Sequence, residues 1–392
     1  MSAYPKHTDL GWRRRLRSRI LKWYDQHGRK LPWRESADPY QIWVSEIMLQ
    51  QTTVAAVVPY FERFIRQFPS VRHLAAANQD QVLRMWEGLG YYSRARNLHK
   101  SAQMIVAERD GCFPQSVEEL QQLPGIGSYT AGAISSFAFN LPAPIVEANT
   151  LRLYSRLIEL TIDPRSTAGQ KTLWKFAAWI VSRKRAADFN QAAMDIGSQV
   201  CTPKDPDCRR CPLMASCKAF EAGRQNQIPS AAAKQPITDM VEISIAVHKG
   251  NRFLLRQRTA GERWEGLWDF LRFEITADEA AQIQIPQESR GRTNMLPGQQ
   301  SLFADDEPSP SLPRRIAATA EQQTGLMLTT YDPIAEIRHA VTRYRIRLLC
   351  TRSEPAAGRL RAGSGFRWFS ADQLQKLPLS KTGRQLADRL IG

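Results

Sequence analysis

About the first 220 residues carry hydrophobic side chains at a helical period almost throughout. Asp38 followed by Pro39 is typical of a helix start, because the carboxylate accepts from unpaired N–H groups and proline fits the first helical position. The apolar residues that follow at helical spacing are Ile42, Trp43, Ile47, Leu49 and Val54. A second apolar stripe predicts another helix from Pro59 to Phe68. This part of the chain is therefore predicted to be helical.

The pattern changes near residue 222. Gly, Gln, Pro, Ser and Ala dominate residues 222–238, which we interpret as a linker. The segments after it with the pattern of strands are Val241–Val247, Arg252–Gln257, Tyr344–Cys350 and Phe366–Phe369. Lys249-Gly250-Asn251 separates the first two as a hairpin turn.

These patterns predict a mostly α chain with two domains. A helical domain covers residues 1–221, the linker covers residues 222–238, and an α+β domain covers residues 239–392. The stretch 283–313 is polar and rich in Gln, Pro and Ser, which predicts a mobile loop inside the second domain.

The chain is strongly basic. Lys and Arg number 54 against 38 Asp and Glu, and the formal net charge of +16 favours a polyanionic partner. No hydrophobic run approaches the roughly 20 residues needed to span a bilayer, so we expect nucleic acid and no membrane. The basic run Arg13-Arg14-Arg15 lacks the apolar segment of a secretory signal behind it. We therefore expect an intracellular, cytoplasmic protein.

A break in the helical pattern occurs at Leu123–Ala133. Pro124, Gly125 and Gly127 interrupt one helix, and Ser128–Phe137 is predicted to form the next. The glycines allow a turn in which backbone N–H groups converge at a helix start, and such a start binds phosphate. An ordinary helix–turn–helix corner would explain the same residues.

Four cysteines have the spacing C-x6-C-x2-C-x5-C: Cys201, Cys208, Cys211 and Cys217. Their thiolates can enclose one metal centre, and such clustering is typical of a reducing compartment rather than of disulfides. Zinc knuckles usually pair two C-x2-C units, whereas this loop has one. An iron–sulfur cluster, zinc and free thiols remain open from the spacing itself.

Two carboxylates are candidates for acid–base or electrostatic chemistry. Glu46 is a lone acid on a helix otherwise free of charge; it is either a solvated surface residue or a partly buried acid with a raised pKa that can donate a proton. Glu147 lies just after the hairpin helix and can face Glu46, as paired carboxylates do in glycosidases. A cap formed by Asn149 or Thr150 on the helix that follows is the alternative interpretation of this segment, as a purely structural one.

The segment Gly88–Asn97 combines glycines, tyrosines and arginines. Glycines permit close approach of the backbone to a ligand, and a tyrosine can wedge into a base stack. Arg94 and Arg96 are predicted to contact phosphates. Aromatic packing in the core is the alternative interpretation.

These motifs, together with Leu31–Arg34 and Val44–Thr52, resemble those of the MutY-type adenine DNA glycosylases, within the endonuclease III superfamily of helix-hairpin-helix proteins. The resemblance covers essentially the whole chain. It implies a mostly α fold: a two-lobed helix-hairpin-helix glycosylase domain with an iron–sulfur loop at residues 201–217, followed by an α+β Nudix-like domain that senses lesions. It also implies one 4Fe–4S cluster per chain, held by the four cysteines, all of which match the family spacing.

The resemblance assigns catalytic roles. Glu46 matches the general acid that protonates the adenine leaving group, and Glu147 stands where the family has aspartate. Tyr129 and Asn149 match positions that line the active site. A lysine nucleophile occupies the position of Tyr129 in relatives with strong lyase activity, so this chain is expected to be a monofunctional hydrolase.

The resemblance also assigns contacts with the substrate. Gln191 matches a residue that hydrogen-bonds the flipped adenine. Leu89 and Tyr91 match the loop that intercalates next to the base opposite adenine. Thr342 and Arg343 lie in Val341–Arg343, which aligns with the Phe-Ser-His loop that reads the lesion. The other substrate-binding candidates are Trp33, Arg34, Gln51, Thr52, Gly125 and Gly127. Gln322 and Gln323 replace the metal-binding glutamates of Nudix hydrolases, so no nucleotide hydrolysis is expected.

The function implied is removal of adenine mispaired with 8-oxoguanine or guanine, by hydrolysis after the base is flipped out of double-stranded DNA. We expect the protein to act as a monomer. A non-catalytic protein that binds DNA lesions is the alternative from another class, and a glycosylase for a different mismatched base is a third possibility. Release of base from defined duplexes distinguishes them.

Overall fold

In a computed structural model, residues 9–230, 236–283 and 312–391 are described. They form two compact units. The first comprises the described residues of Met1–Ala77 and Ser93–Ala233, and the second those of Asn78–Tyr92 and Lys234–Gly392. The sequence pattern did not indicate that Asn78–Tyr92, inside the predicted helical domain, packs with the C-terminal unit.

The part of the chain before residue 222 is helical, as its hydrophobic period predicts. Its helices are α1 (Leu10–His27), α2 (Pro39–Leu49), α3 (Val54–Gln67), α4 (Val71–Ala76), α5 (Gln79–Met85), α6 (Ser93–Arg109), α7 (Val117–Leu120), α8 (Ser128–Phe139), α9 (Ala148–Leu157), α10 (Thr167–Ile180), α11 (Ala186–Gln199) and α12 (Lys218–Glu221). All except α5 belong to the first unit.

Two predicted helix boundaries need correction. Val54 does not extend α2, because that helix ends at Leu49 and the backbone of Gln51 is left-handed, with φ at 58°. Val54 instead begins α3, five residues before the predicted start at Pro59. Thr53 caps α3 by accepting from Ala56 N, so the proline lies inside the helix.

The helices of the first unit pack in two groups. Helices α1, α9, α10 and α11 enclose a core that includes Leu16, Ile20, Leu153, Phe176 and Phe189. In the other group α2 packs against α3, α6 and α8, and α4 packs against α6. Helices α8 and α11 pack together and join the groups. This arrangement agrees with the two lobes expected from the sequence.

The second unit is built on a mixed sheet. Its strands are β1 (Thr238–Lys249), β2 (Arg252–Gln257), β3 (Trp268–Asp269), β4 (Leu271–Ile275), β5 (Leu326–Leu328), β6 (Asp332–Val341), β7 (Tyr344–Ser353), β8 (Pro355–Gly358) and β9 (Phe366–Ser370). Strand β1 pairs parallel with β7 and antiparallel with β2 and β4. Strand β6 continues the sheet beyond β7, and β9 pairs with β2. Strands β5 and β8 form a separate pair.

Alternate residues of β1 face two cores. Ile243 and Ile245 pack towards α13 (Ala277–Ala281) and α14 (Leu312–Thr324). Ala246 packs on the other face, towards α15 (Ala371–Lys376) and α16 (Lys381–Ile391). The hairpin turn after β1 and the four predicted strands are confirmed, with β1 and β7 longer than predicted.

The predicted loop 283–313 is only partly described. Residues 284–311 lie outside the described ranges, while Leu312 and Pro313 begin α14 rather than ending a loop. Within the described ranges, no helix combines the length and the apolar character needed to cross a membrane.

Candidate active site

Helix α2 places Glu46 among apolar neighbours. Asp38 caps the helix by accepting from Tyr40 N at 2.9 Å, and Pro39 occupies the first position, as the sequence predicts. Side chains are buried all around this helix, including Trp43 and Ile47. Glu46 is consequently only 3% exposed, so the interpretation as a solvated surface acid is wrong.

The hairpin before α8 positions the hydroxyl of Tyr129 beside Glu46. Gly125 has a left-handed backbone with φ at 78°, and a Cβ on it would lie 2.7 Å from the Cβ of Asn97, so glycine is required there. Helix α8 begins at Ser128, as predicted. Tyr129 follows, and its Oη donates to Oε2 of Glu46 at 2.5 Å.

The surroundings of Glu46 favour its protonated form. Burial raises the pKa of this carboxyl to about 7, and the nearby carboxylate of Glu147 acts in the same direction. The hydrogen bond from Tyr129 and the charge of Arg34 act in the opposite direction but do not overcome burial. A carboxylic acid with this pKa can hold a proton at neutral pH and donate it.

Glu147 is itself the N-cap of α9, so the alternative interpretation of this segment, a cap formed by Asn149 or Thr150, is wrong. Its Oε2 accepts from Asn149 N at 2.9 Å and its Oε1 accepts from Thr150 N at 2.8 Å. Glu147 N donates in return to Oγ1 of Thr150, which completes a capping box. The longer arm of glutamate thus reaches the N–H groups that an N-cap aspartate would take.

Burial also raises the pKa of Glu147, against the backbone N–H groups of Asn149 and Thr150 and the charge of Arg152. The nitrogen and the oxygen of the Asn149 side-chain amide each form a hydrogen bond. Nδ2 donates to Glu147 Oε2 at 3.2 Å, and Oδ1 accepts from Arg152 Nη2 at 3.0 Å. Arg152 also contacts the loop with the four cysteines, because its Nε donates to the carbonyl oxygen of Cys201 at 2.6 Å. The chain of contacts runs from the carboxylate to the cysteine loop.

The two carboxylates line one cleft of about 1130 Å³ in the first unit. The predicted site residues that line it with them are Trp33, Arg34, Gln51, Thr52, Gly127, Tyr129, Asn149 and Gln191. Gly127 is the N-cap position of α8, and a Cβ placed on it would meet nothing within 4 Å, so the helix start is open to a ligand.

A buried acid holds two arginines that line the cleft. Asp195 is fully buried and accepts from Arg34 Nη1 at 2.8 Å and from Arg29 Nε at 2.7 Å. Burial opposes its ionisation, but the hydrogen bonds and charge of Arg34 and the hydrogen bonds from Arg29 outweigh burial and lower its pKa. Gln191, one helical turn earlier on α11, accepts at Oε1 from Tyr24 Oη at 2.7 Å.

Arg94 does not have the role that the sequence predicts. It is 9% exposed, and its Nη1 donates to the carbonyls of Ile47, Met48 and Gln50 at the end of α2. A guanidinium held by carbonyls at a helix end stabilises that end and is not available to a phosphate.

The remaining predicted DNA contacts belong to the second unit. Tyr91 is 45% exposed, whereas Leu89 is 8% exposed. Thr342 and Arg343 form the exposed turn between β6 and β7, where Thr342 has a left-handed backbone with φ at 53°. Gln322 and Gln323 lie near the end of α14.

The four cysteines of the predicted metal loop line a common small cavity after α11. Two short 3₁₀ turns lie in this loop, Cys208–Arg210 and Met214–Ser216. Cys208 begins the first turn, Cys211 follows it, and Cys217 follows the second. In the described ranges, no three His, Cys, Asp or Glu side chains converge on a position for one metal ion. Arg156 approaches the loop from α9, and its Nη1 lies 3.2 Å from Sγ of Cys201.

Known proteins resemble this chain in both parts. Residues 44–178 match the family model of the HhH-GPD superfamily base excision DNA repair proteins, and residues 243–389 match that of the NUDIX domain. The adenine DNA glycosylase of Mus musculus is 41% identical over 248 residues, which cover 61% of this chain and 48% of that protein. That of Homo sapiens is 40% identical over 251 residues, covering 62% and 46%. The chain thus spans about half the length of these relatives.

A bacterial relative is covered more fully. The adenine DNA glycosylase of Buchnera aphidicola subsp. Baizongia pistaciae is 38% identical over 280 residues, which cover 71% of this chain and 79% of that protein. The chain belongs to the adenine DNA glycosylase family. The resemblance found in the motifs and the predicted fold, a helix-hairpin-helix domain followed by a Nudix-like α+β domain, are both confirmed.

Sequence reasoning missed part of the site of this adenine DNA glycosylase family member. Asp195, Arg29 and Tyr24 were not among the predicted residues, although they hold Arg34 and Gln191. Asp195 had a signal, because it is an acid between the apolar neighbours Met194 and Ile196, as Glu46 is an acid on an apolar helix. Tyr24 had none, because its partner is far away in the sequence.

Proposed function

We propose that this protein is a monofunctional adenine DNA glycosylase that acts on adenine mispaired with 8-oxoguanine or guanine in double-stranded DNA. The observation that carries the proposal is the buried pair Glu46–Tyr129 facing Glu147 in one cleft. The family relationship supports the same reaction class. The proposed site therefore combines a proton donor with a second carboxylate, which cleavage of an N-glycosidic bond requires.

In the proposed reaction, Glu46 donates its proton to a ring nitrogen of the flipped adenine. The bond between C1′ and N9 then breaks, and its electron pair leaves with the neutral base. Tyr129 is the hydrogen-bond donor that orients the acid, and it remains a donor because burial raises its own pKa well above 10. Proton donation of this kind contributes typically about 10²- to 10⁴-fold to a rate.

Glu147 stabilises the positive charge that develops on the sugar. The carboxylate is held by N–H groups of Asn149 and Thr150, so its position is fixed before the substrate binds. Water then adds to C1′, and the proton that it loses restores the acid form of Glu46. The capped geometry supports catalysis by glutamate at a position where aspartate is expected.

A lyase reaction is not part of the proposal. Such a reaction needs an amine that forms a Schiff base with the sugar. Tyr129 occupies the expected lysine position, and its hydroxyl is committed to Glu46. The product proposed is therefore an abasic site in an intact strand.

Recognition of the flipped base is proposed for the side of the cleft with Gln191 and Arg34. Their anchors Tyr24 and Asp195 restrict the rotamers of both side chains. Contacts with DNA backbone are proposed for Gly125, Gly127, Gln51 and Thr52, and contacts with the opposite base for Leu89, Tyr91, Thr342 and Arg343.

The test is release of adenine from 30-base-pair duplexes under single-turnover conditions, with 8-oxoguanine, guanine, cytosine or thymine opposite adenine. Release opposite the first two, without strand cleavage until alkali is added, supports the proposal. Tight binding of the 8-oxoguanine duplex with no release would identify a non-catalytic lesion-binding protein. Release of another base instead would assign the chain to a different mismatch.

We also propose that the cysteine loop binds one 4Fe–4S cluster. The four thiols line one cavity, and their spacing along the chain suits a cluster in which each thiolate binds a different iron. The guanidinium of Arg156 beside Cys201 suits an anionic thiolate. When bound, the cluster would cross-link the two ends of this loop, with Arg156 of α9 beside it, and none of the steps above uses it.

The cluster proposal is tested on protein purified without oxygen. Brown protein with about four iron atoms per chain is expected, and Cys208→Ser should lose the colour and DNA affinity. Stoichiometric zinc without iron would contradict the proposal. We further propose that the protein works as a monomer inside the cell, which sedimentation of the DNA complex would test.

A further inference from the structure

The segment Asn78–Tyr92 is part of the C-terminal unit, although it precedes that unit by about 150 residues in the sequence. It contains α5 and the turn that carries Tyr91, the residue proposed to wedge beside the base opposite adenine. The inference below rests on that proposed function. It concerns what holds this turn in place.

An ion pair joins the residue before the turn to α16. Arg384 Nε donates to Glu87 Oε1 at 2.8 Å, and Arg384 Nη2 donates to Glu87 Oε2 at 3.3 Å. The two side chains are 15% and 8% exposed, so the pair is largely removed from water. A bidentate, sheltered pair of this kind fixes both position and direction.

Arg384 is itself held on the C-terminal side. Its Nη2 donates to the carbonyl of Leu377 at 2.7 Å, and its Nη1 donates to the carbonyl of Leu374 at 3.2 Å. These carbonyls lie at the end of α15 and just after it. The guanidinium is therefore a rigid link between that part of the Nudix-like fold and Glu87.

Hydrogen bonds hold the other side of the turn. Tyr92 Oη donates to the carbonyl of Leu379 at 3.3 Å and accepts from Gly88 N at 3.3 Å. Earlier in the segment, Asp80 accepts from Trp268 Nε1 and from Gln257 Nε2, each at 3.2 Å. The turn is thus bracketed by contacts within the C-terminal unit.

The turn between these anchors has an unusual backbone. Gly88, Gly90 and Tyr91 have φ values of 99°, 72° and 47°. A left-handed backbone costs little for glycine but strains a tyrosine, so the conformation persists only where the surrounding structure holds it. Tyr91 is 45% exposed at this point.

We propose that Arg384 is a positioning residue that acts through Glu87 to set the conformation of the Tyr91 turn. The C-terminal unit then supplies two elements directed at the opposite base: the β6–β7 turn with Thr342, and the wedge of Tyr91. Loosening the ion pair should weaken insertion of Tyr91 beside the opposite base and lower excision through that effect.

Arg84 provides a matched control. Its Nη1 also donates to Glu87 Oε2, at 2.9 Å, but Arg84 is on α5 and 42% exposed, so it does not link the turn to α16. Arg384→Met and Arg84→Met remove the same charge. Arg384→Met should slow single-turnover release of adenine about tenfold, the size typical of coupled neighbours, and Arg84→Met less than about twofold.

Two further measurements separate positioning from a general loss of structure. In a Tyr91→Ala background, Arg384→Met should add less than about twofold, because the group through which it acts is gone. The second measurement is the fluorescence of 2-aminopurine next to 8-oxoguanine in the bound duplex. It should rise with wild type and Arg84→Met, and less with Arg384→Met. Arg384→Lys should recover part of both effects.

Additive effects of Arg384→Met and Tyr91→Ala, or an unchanged 2-aminopurine signal in Arg384→Met, would overturn the inference. If the wild type releases no adenine, the proposed function fails. The fluorescence series still decides whether Arg384 positions Tyr91, because that signal needs binding alone.

Discussion

The two carboxylates of the cleft occupy opposite kinds of helical position. Glu46 lies inside α2, where backbone N–H groups bond to carbonyls of the same helix and the neighbouring side chains are apolar. Glu147 lies at the first position before α9, where unpaired N–H groups point at it. Glu46 has one hydrogen-bond donor on its side chain, Tyr129, whereas Glu147 has three from two residues.

The difference shows how one side-chain type can take two roles. Burial raises the pKa of both groups, and for Glu46 the result is about 7. At the helix end, N–H donors and Arg152 favour the anion and hold it in place. Where the environments of two neighbouring carboxyls separate their pKa values, one usually acts as an acid and the other as an electrostatic stabiliser.

The largest effect should come from removing the acid. Glu46→Gln keeps the size of the side chain but cannot donate a proton of comparable acidity, so adenine release should fall about 10³-fold or more. Single-turnover assays measure the rate, and fluorescence anisotropy should find duplex affinity within about threefold of wild type. Normal turnover by this variant would remove Glu46 from the mechanism.

Glu147→Gln should cost about 10²- to 10³-fold in the rate of adenine release, because it removes the charge that stabilises the sugar. Glutamine retains an acceptor oxygen for the cap, so the free energy of unfolding should change by less than about 1 kcal/mol. Denaturant unfolding checks this.

Glu147→Asp is the matched control, since it keeps the charge and is a good N-cap residue. It should stay within about tenfold of wild type, because it moves the charge by roughly one C–C bond while keeping it. Equal rates for wild type and Glu147→Gln would reduce Glu147 to a helix cap.

Removing the side chain of Asn149 should have a smaller effect on the rate of adenine release. Asn149→Ala removes the side-chain donor to Glu147 and the acceptor for Arg152, but leaves both backbone donors on the carboxylate. Adenine release should fall about tenfold, the scale of one lost hydrogen bond to a charged group. A loss as large as that of Glu147→Gln would mean that the amide, rather than the cap, positions the carboxylate.

Local signals in the sequence predicted much of this arrangement. Asp38 and Pro39 mark the start of α2, the glycines mark the hairpin before α8, and the cysteine spacing marks the four thiols that line one cavity. Each depends on residues close in the chain. The apolar run around Glu46 left a solvated acid and a buried acid both open, and the burial of the side chain decides between them.

Long-range contacts could not be predicted in this way. The end of α2 depends on Arg94, which lies more than 40 residues away, and the Tyr91 turn depends on Arg384. Both contacts follow from three-dimensional packing rather than from the periodicity of the sequence.

The Tyr129→Phe variant tests how its hydrogen bond affects the pKa of Glu46. The hydrogen bond from Tyr129 stabilises the carboxylate and thereby lowers the pKa of Glu46, so its removal should raise that pKa further. The acid form then persists to higher pH, and the alkaline limb of the rate profile should move upward. A limb that stays in place would show that another group titrates there.

The most direct test of a buried acid at Glu46 is the pH dependence of single-turnover adenine release by the wild type. With the pKa of Glu46 at about 7, the acid form predominates below that pH and is lost above it. The rate should be nearly level below about pH 6 and should fall about tenfold per unit well above pH 7. A rate constant that does not change between about pH 6 and pH 9 would contradict the account.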